Sequence, residues 1–271
     1  MHILITGATG RLGRALTPEL ARAGHTVRAA SRTPAPTGVP TPDRPVPDGG
    51  AVHRIRLDLA TGDGLPAAVD GVDVVVHAAS APYQRGYTRQ VDVTGTRRLV
   101  EAADRAGVRH LVYISIVGVD RVPWPYFRIK VEAESLVAAG PVPWTVLRVT
   151  QFHEFLAEAL SRLARLPVLP IDPAIPAQPV DVADVAVHLR SRVTAAPAGA
   201  IEEFGGPAVL DADTLAREWL AARQIRRRLV RLPVPGRLGR AFRSGGMVSP
   251  AGDRGRITWS EYLAASPEQE R

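Results

Sequence analysis

The chain has 271 residues, 45% of them hydrophobic, which is ample for a buried core, and it carries a net charge of +7. Cysteine is absent, which excludes a disulfide framework and a thiolate-bound metal. No apolar run approaches the roughly 20 residues of a membrane helix, and an apolar strand starts directly after Met1 with no basic leader region, so the reading is a soluble, cytoplasmic protein.

HILIT (2–6) is a continuous apolar run, the pattern of a strand covered on both faces. A helical pattern over 11–23 ends at Gly24, and TVRAAS (26–31) is the second strand. Residues 34–50 hold six prolines, which exclude a packed helix and predict a surface loop. VHRIRLDL (52–59) is the third strand, followed by a short helix after Thr61, and VDVVVHAAS (72–80) is the fourth strand. A long helix from about Tyr87 to Ala106 leads to HLVYIS (110–115), the fifth strand; a helix over 125–139 leads to WTVLRV (144–149), the sixth. Strands alternating with helices predict right-handed βαβ units and an α/β fold with a parallel, doubly wound sheet over residues 1–150. Helices at about 153–164, 181–192, 211–223 and 235–243, with short strands near 178–180, 200–204 and 228–232, predict a smaller C-terminal annex over 151–271. The basic run RQIRRRLVR (223–231) reads as a solvated helix end leading into an exposed strand. The other arginines are scattered, and neither a nucleic acid nor a membrane is expected as a partner.

ITGATGRLGRAL (5–16) places Gly7, Gly10 and Gly13 directly after the first strand and at the opening of a helix. In that position the glycines let the backbone turn tightly and bring a diphosphate to the helix N-terminus, where free N–H groups and the dipole favour anions. A second feature is Lys130. The chain has 34 lysine plus arginine residues, and Lys130 is its only lysine. It follows Tyr126 by four positions, so both fall on one helix face. A nearby cation lowers the pKa of a phenol, and a compact ammonium can do this where a forked guanidinium does not fit.

Thr6 with the glycine turn, Asp58-Leu59, HAAS (77–80), Ser115 and Tyr126-x-x-x-Lys130 together resemble the short-chain dehydrogenase/reductase superfamily, in its extended and atypical members. WTVLRVTQF (144–152) and FGGPAVLDADTLA (204–216) are similar to its NmrA-like branch. The resemblance implies a Rossmann fold whose annex binds substrate, with a dinucleotide held by Thr6, Gly7, Thr9, Gly10, Arg11, Leu12 and Gly13. Asp58, beside Leu59, would contact adenine, and Ala78, Ala79 and Ser80 would line the path to the nicotinamide ribose. Lys130 would grip the ribose hydroxyls, Tyr126 would exchange a proton with the substrate oxygen, and Ser115 would assist. Ile116 follows Ser115 where catalytic members generally carry a hydroxyl.

An NAD site usually ends strand two with a carboxylate for the ribose 2′-hydroxyl. Here strand two ends Ala30-Ser31-Arg32, with no acid before Asp43. Arg32 and Arg11 suit a 2′-phosphate, so NADP(H) is expected in preference to NAD(H). By analogy the substrate would meet Tyr83, Gln151, Phe152 and His153, with Phe242, Met247, Trp259 and Tyr262 as a lid. This largely apolar and aromatic set suits a small hydrophobic molecule. No metal-ligand spacing appears among the seven histidines. The expected function is an NADP(H)-dependent oxidoreductase, acting as a monomer or homodimer on a small carbonyl, quinone or related compound. The alternatives are a regulator that holds NADP without turnover, and an epimerase or dehydratase with bound cofactor.

Overall fold

The computed structural model describes residues 1–33 and 50–265. The loop expected over 34–50 lies, apart from Gly50, outside the described residues.

The chain opens with β1 (His2–Thr6), α1 (Arg11–Arg22), β2 (Thr26–Ser31), β3 (Ala51–Arg56), α2 (Leu65–Val69) and β4 (Val74–His77). A long helix follows in three pieces: α3 (Tyr87–Arg89), a π turn (Gln90–Gly95) and α4 (Thr96–Arg105). Next come β5 (His110–Ile116), α5 (Pro125–Ala138), β6 (Trp144–Val149), α6 (His153–Leu163), β7 (Leu169–Ile171), β8 (Pro176–Ala177) and α7 (Val182–Thr194). The chain continues with β9 (Ile201–Phe204), β10 (Leu210–Asp211), α8 (Ala212–Ala222), β11 (Leu229–Arg231), α9 (Gly236–Arg243) and α10 (Trp259–Ala265).

Seven strands form one sheet in the order β3-β2-β1-β4-β5-β6-β9. β1 pairs in parallel with β2 and with β4, placing Thr6 beside Ala30 on one side and His77 on the other. Backbone bonds from Leu111 N to Pro143 O and from Val117 N to Val149 O run β6 in the same direction; those from Val146 N to Ala200 O and Thr150 N to Phe204 O do the same for β9. The strand order reverses at β1. In such sheets the crevice beyond the strand ends at the reversal is where dinucleotides bind.

The expected α/β Rossmann architecture is therefore present, and its cause is the apolar content of the strands. Ile3, Leu4, Ile5, Val75 and Val76 are wholly buried, as strands covered on both faces require. Leu4 and Val75 join a core with Leu65 and Ala68 of α2, Leu99 and Ala103 of α4, and Ala133 and Val137 of α5. Ile3 and Ile5 point to the other face. α1 packs on β1, β2 and β3, burying Leu12, Leu16 and Leu20. Arg190 of α7 pairs with Glu19 of α1 at 2.7 Å. A second core gathers Ala157 and Leu160 of α6, Leu169 and Ile171 of β7, Leu215 and Trp219 of α8, and Trp259 and Leu263 of α10.

The packing divides the chain into two compact units. One comprises Met1–Ser115, Arg128–Leu147 and Ala186–Glu202; the other comprises Ile116–Phe127, Arg148–Val185 and the chain from Glu203 onward. Among the described residues no helix is long and apolar enough to cross a membrane.

Some elements differ from the sequence expectation. β3 stops at Arg56 because the Asp58 amide bonds to the Asp63 carbonyl and its carboxylate accepts from the Ala60 amide, which turns the chain. β4 stops at His77 because the Ala79 amide leaves the ladder for the Thr6 hydroxyl. The strand expected near 178–180 lies at Pro176–Ala177, where it pairs antiparallel with β10; Val180 makes only a single bridge to Phe152. β7, β10 and α10 were not expected.

Candidate functional site

The first glycine turn is built by two backbone constraints. Gly7 has φ +72°, a conformation side chains rarely adopt, and a Cβ there would stand 2.7 Å from Ala79 Cα. At Gly13 a Cβ would fall 2.4 Å from the Gly7 carbonyl oxygen and 2.5 Å from Ala8 Cα. Gly10 caps α1 in extended conformation, with no side-chain cap and no acid in the first turn. The opening N–H groups of α1 are thus left for an anion. Arg14 Nε donates to the Thr9 carbonyl at 2.7 Å, which fixes the turn's outer side. Leu12 is buried beneath it, and Arg11 is exposed. Gly13→Ala is expected to cost about 1–3 kcal/mol of stability through overpacking and to weaken NADPH binding. At Gly10 the added Cβ would meet only the Gly7 carbonyl oxygen, at 3.2 Å, so Gly10→Ala is the milder change. Thermal unfolding and NADPH titration of the two variants check this order.

At the end of β2, Arg32 Nη1 donates to the Tyr87 hydroxyl at 2.6 Å, and its guanidinium lies 5.3 Å from the Tyr87 ring centroid. Ser31 Oγ donates to the Thr33 carbonyl at 2.7 Å. Asp58 carries the turn after β3, and Leu59 is buried in the first core. Ala78 and Ala79 continue the chain past β4 beside Gly7, and Ser80 follows them.

Lys130 is 3% exposed. Its Nζ donates to the Tyr113 hydroxyl at 2.6 Å and to the Ile114 carbonyl at 2.9 Å, and it lies 4.2 Å from the Tyr113 ring centroid. Burial pushes its ammonium down to about 8, against the opposing pull of Asp92 and Glu134. Tyr126 lies one turn earlier on α5 and is buried, with its ring 6.5 Å from that of Phe127. Ser115 is buried at the end of β5, and among the described residues its hydroxyl has no hydrogen-bond partner.

Sequence reasoning passed over Asp92, Tyr113 and His77. Asp92 is 1% exposed, in the π turn. Its carboxylate accepts from Ser80 Oγ at 2.7 Å and the Ala81 amide at 2.9 Å. A signal for it was present. Thr88, Asp92, Thr96, Leu99 and Ala103 form one buried stripe at helical spacing, and an acid within such a stripe calls for a buried cation. The chain offers one lysine to meet it.

The residues expected to meet substrate are placed as follows. Tyr83 is 63% exposed and has φ +62°. Gln151 donates from Nε2 to the Met247 carbonyl at 2.8 Å and accepts the Gln178 amide at 3.1 Å, so both ends of its amide hold backbone. Phe152 precedes α6 and bridges to Val180. His153 is fully buried, its ring centroid 4.9 Å from Tyr262 and 5.6 Å from Trp259, with Nδ1 3.6 Å from an Asp181 carboxylate oxygen. Burial raises the Asp181 carboxyl, but the His153 ring and the Ala183 amide outweigh it and hold the group below its usual value. A cavity of about 510 Å³ lies nearby, lined by Asp181, Tyr262, Glu154 and Arg256 among others. Trp259 is buried in the second core, its indole N–H directed to the Leu215 carbonyl at 3.3 Å.

A family described as NAD(P)H-binding matches residues 7–189. Photosystem II assembly factor Ycf39 of Trieres chinensis is 29% identical over 160 residues, which cover 58% of this chain and 48% of that protein. Sterol demethylase protein B of Methylococcus capsulatus is 38% identical over 122 residues, 44% of this chain and 35% of that one. The chain thus spans half or less of the length of these curated relatives. Among solved structures, the NADPH-dependent quinone oxidoreductase QOR2 of Escherichia coli, complexed with NADPH, has a similar fold. It superposes with a TM-score of 0.74 at 19% identity, over 97% of this chain and 99% of that one.

Proposed function

We propose, for a chain that belongs to the NAD(P)H-binding family, that it binds NADP(H) and carries hydride to or from a small, largely apolar carbonyl, quinone or related compound. The observation that carries this reading is the chain's only lysine, buried at the Tyr113 hydroxyl and one helical turn beyond Tyr126. The glycine turn fits the cofactor: a side chain at Gly13 would fill the cradle, and α1 opens without a capping side chain. A bound nicotinamide supplies or accepts the hydride. Lys130 would hold a ribose hydroxyl and lend positive charge to Tyr126. A phenol titrates ordinarily near 10, and the cation brings it toward the range where it can exchange a proton with a substrate oxygen. Arg32, steadied by Tyr87, would receive the 2′-phosphate together with Arg11, with Ser31 beside it. The assignment of quinone-like substrates draws support from the fold shared with QOR2.

Titration with NADPH and NADH tests the cofactor. NADPH is expected to bind about tenfold or more tightly, and Arg32→Asp to abolish that advantage. Tighter binding of NADH overturns the preference. NADPH oxidation against a panel of ketones and quinones tests the chemistry. A second reading, a regulator that holds NADP(H) without turnover, is favoured by Ile116 after Ser115 and by the buried Ser115 hydroxyl, which meets no partner among the described residues. Tight NADPH binding with no turnover across the panel decides for it.

A further inference from the structure

His77 has no part in the proposed chemistry, yet it is 1% exposed and both of its ring nitrogens are engaged. Nδ1 lies 2.7 Å from Thr6 Oγ1, and Nε2 lies 2.9 Å from Thr96 Oγ1. The direction of each bond follows from its neighbours. The Thr96 hydroxyl donates its only proton to the Asp92 carbonyl at 2.7 Å, so it offers the imidazole lone pairs alone. Nε2 therefore carries the ring proton. In a neutral imidazole Nδ1 is then an acceptor, and Thr6 donates to it. Thr6 Oγ1 in turn accepts from the Ala79 amide at 3.3 Å. One line of bonds thus runs from the Ala79 N–H through Thr6, His77 and Thr96 to the Asp92 carbonyl, every donor pointing the same way.

The two ends of this line matter for ligand binding. Thr6 is followed by Gly7, where a Cβ would stand 2.7 Å from Ala79 Cα, so only glycine leaves room for Ala79. Asp92 holds Ser80 and Ala81 with its carboxylate and attracts Lys130. The imidazole centroid lies 5.3 Å from that of the Tyr113 ring, with the two planes tilted by 58°, and the Tyr113 hydroxyl accepts from Lys130. We propose that His77 is the positioning residue that sets the glycine turn at its working distance from the lysine-bearing end of the site, by accepting from Thr6 and donating to Thr96. This rests on the cofactor reading above. Burial first, and then the charge of Lys130, push His77 down to about 3, so the neutral form that the bond directions demand persists at neutral pH.

The test is NADPH titration, by cofactor fluorescence, of the full chain and three variants, with thermal unfolding to show that each is folded. His77→Asn places a carbonyl oxygen near the Nδ1 position and retains the acceptor for Thr6. His77→Gln reaches the Nε2 position and retains only the donor to Thr96. Thr6→Val removes the hydroxyl at nearly constant shape. His77→Gln and Thr6→Val are expected to raise the NADPH Kd about tenfold or more, with His77→Asn restoring it to within about threefold of wild type. If His77→Asn loses as much affinity as His77→Gln, or if Thr6→Val binds like wild type, His77 is a core residue only and the inference falls. Should the His77 variants fail to fold, Thr6→Val decides alone. If the wild-type chain itself binds no NADPH, the cofactor reading falls and this inference with it.

Discussion

On the proposed function, Lys130→Met is expected to lower kcat/KM by about 10²–10⁴-fold, the range that general acid–base groups supply, and Lys130→Arg is expected not to restore it. The arginine fails for a steric reason. Nζ sits between the Tyr113 hydroxyl and the Ile114 carbonyl in a site almost closed to solvent, and a planar fork there costs about 1–3 kcal/mol of overpacking. Removing the cation also leaves Asp92 as a buried carboxylate without its counter-charge. That loss of stability is separated from the loss of chemistry by Lys130→Met/Asp92→Asn. The double variant regains thermal stability relative to Lys130→Met but not turnover. In wild type, turnover is expected to fall as pH rises past about 8, where the buried ammonium loses its proton. Steady-state kinetics across pH 6 to 9, on any panel substrate that is turned over, check both statements. A Lys130→Arg enzyme with wild-type kcat/KM removes the role assigned to the solitary lysine.

Folding stability is expected to fall as pH drops from about 6.5 to 4.5, well before the carboxylates titrate. A free imidazole titrates near 6.5, and that of His77 in the fold near 3. Above pH 6.5 the ring is neutral in both states and unfolding takes up no proton. Below it the unfolded chain binds a proton that the folded chain refuses, so stability is lost by about 1.4 kcal/mol per pH unit, on the order of 2 to 3 kcal/mol at pH 4.5. His110, with Nε2 2.9 Å from Thr145 Oγ1, acts in the same direction. Burial first, and then Arg192, push it down to about 4. The Asp172 carboxyl lies below its usual value because the Val234 amide, Arg243 and the Ala174 amide together outweigh the opposing effect of burial. Its contribution is lost only at lower pH, which keeps the two windows apart. Urea unfolding at pH 7.5, 6.0 and 5.0 measures the slope, and His77→Asn reduces it. A wild-type chain equally stable at all three values contradicts the buried neutral imidazoles.

The sheet and the glycine turn were legible because their signals are local. Apolar runs of strand length, each followed by a helical period, specify parallel βαβ units with little help from distant residues. That Tyr126 and Lys130 share one helix, four positions apart, was legible for the same reason. What the sequence hid depends on pairing across the chain. Thr6 meets His77 across 71 positions and Lys130 meets Tyr113 across 17. Spacing alone shows neither contact. His77 entered only as the first residue of HAAS and was given no role, and Asp92 read as one acid on a long helix. α10 was missed because WSEYLAA is too short to display a period. Its Trp259 was read as part of a lid although it closes the second core.

The π turn at Gln90–Gly95 accommodates one residue more than regular helical winding would. An α-helix advances about 100° per residue, so this surplus sets the rotational phase of all that follows. With it, Asp92 and Thr96 face inward along the same line as Leu99 and Ala103. Winding the same residues as regular α-helix would swing α4 by about 100° and present Arg98 to the core in place of Leu99. The bulge thus keeps the half of the helix that holds the buried carboxylate and the half that anchors to the sheet indexed to each other.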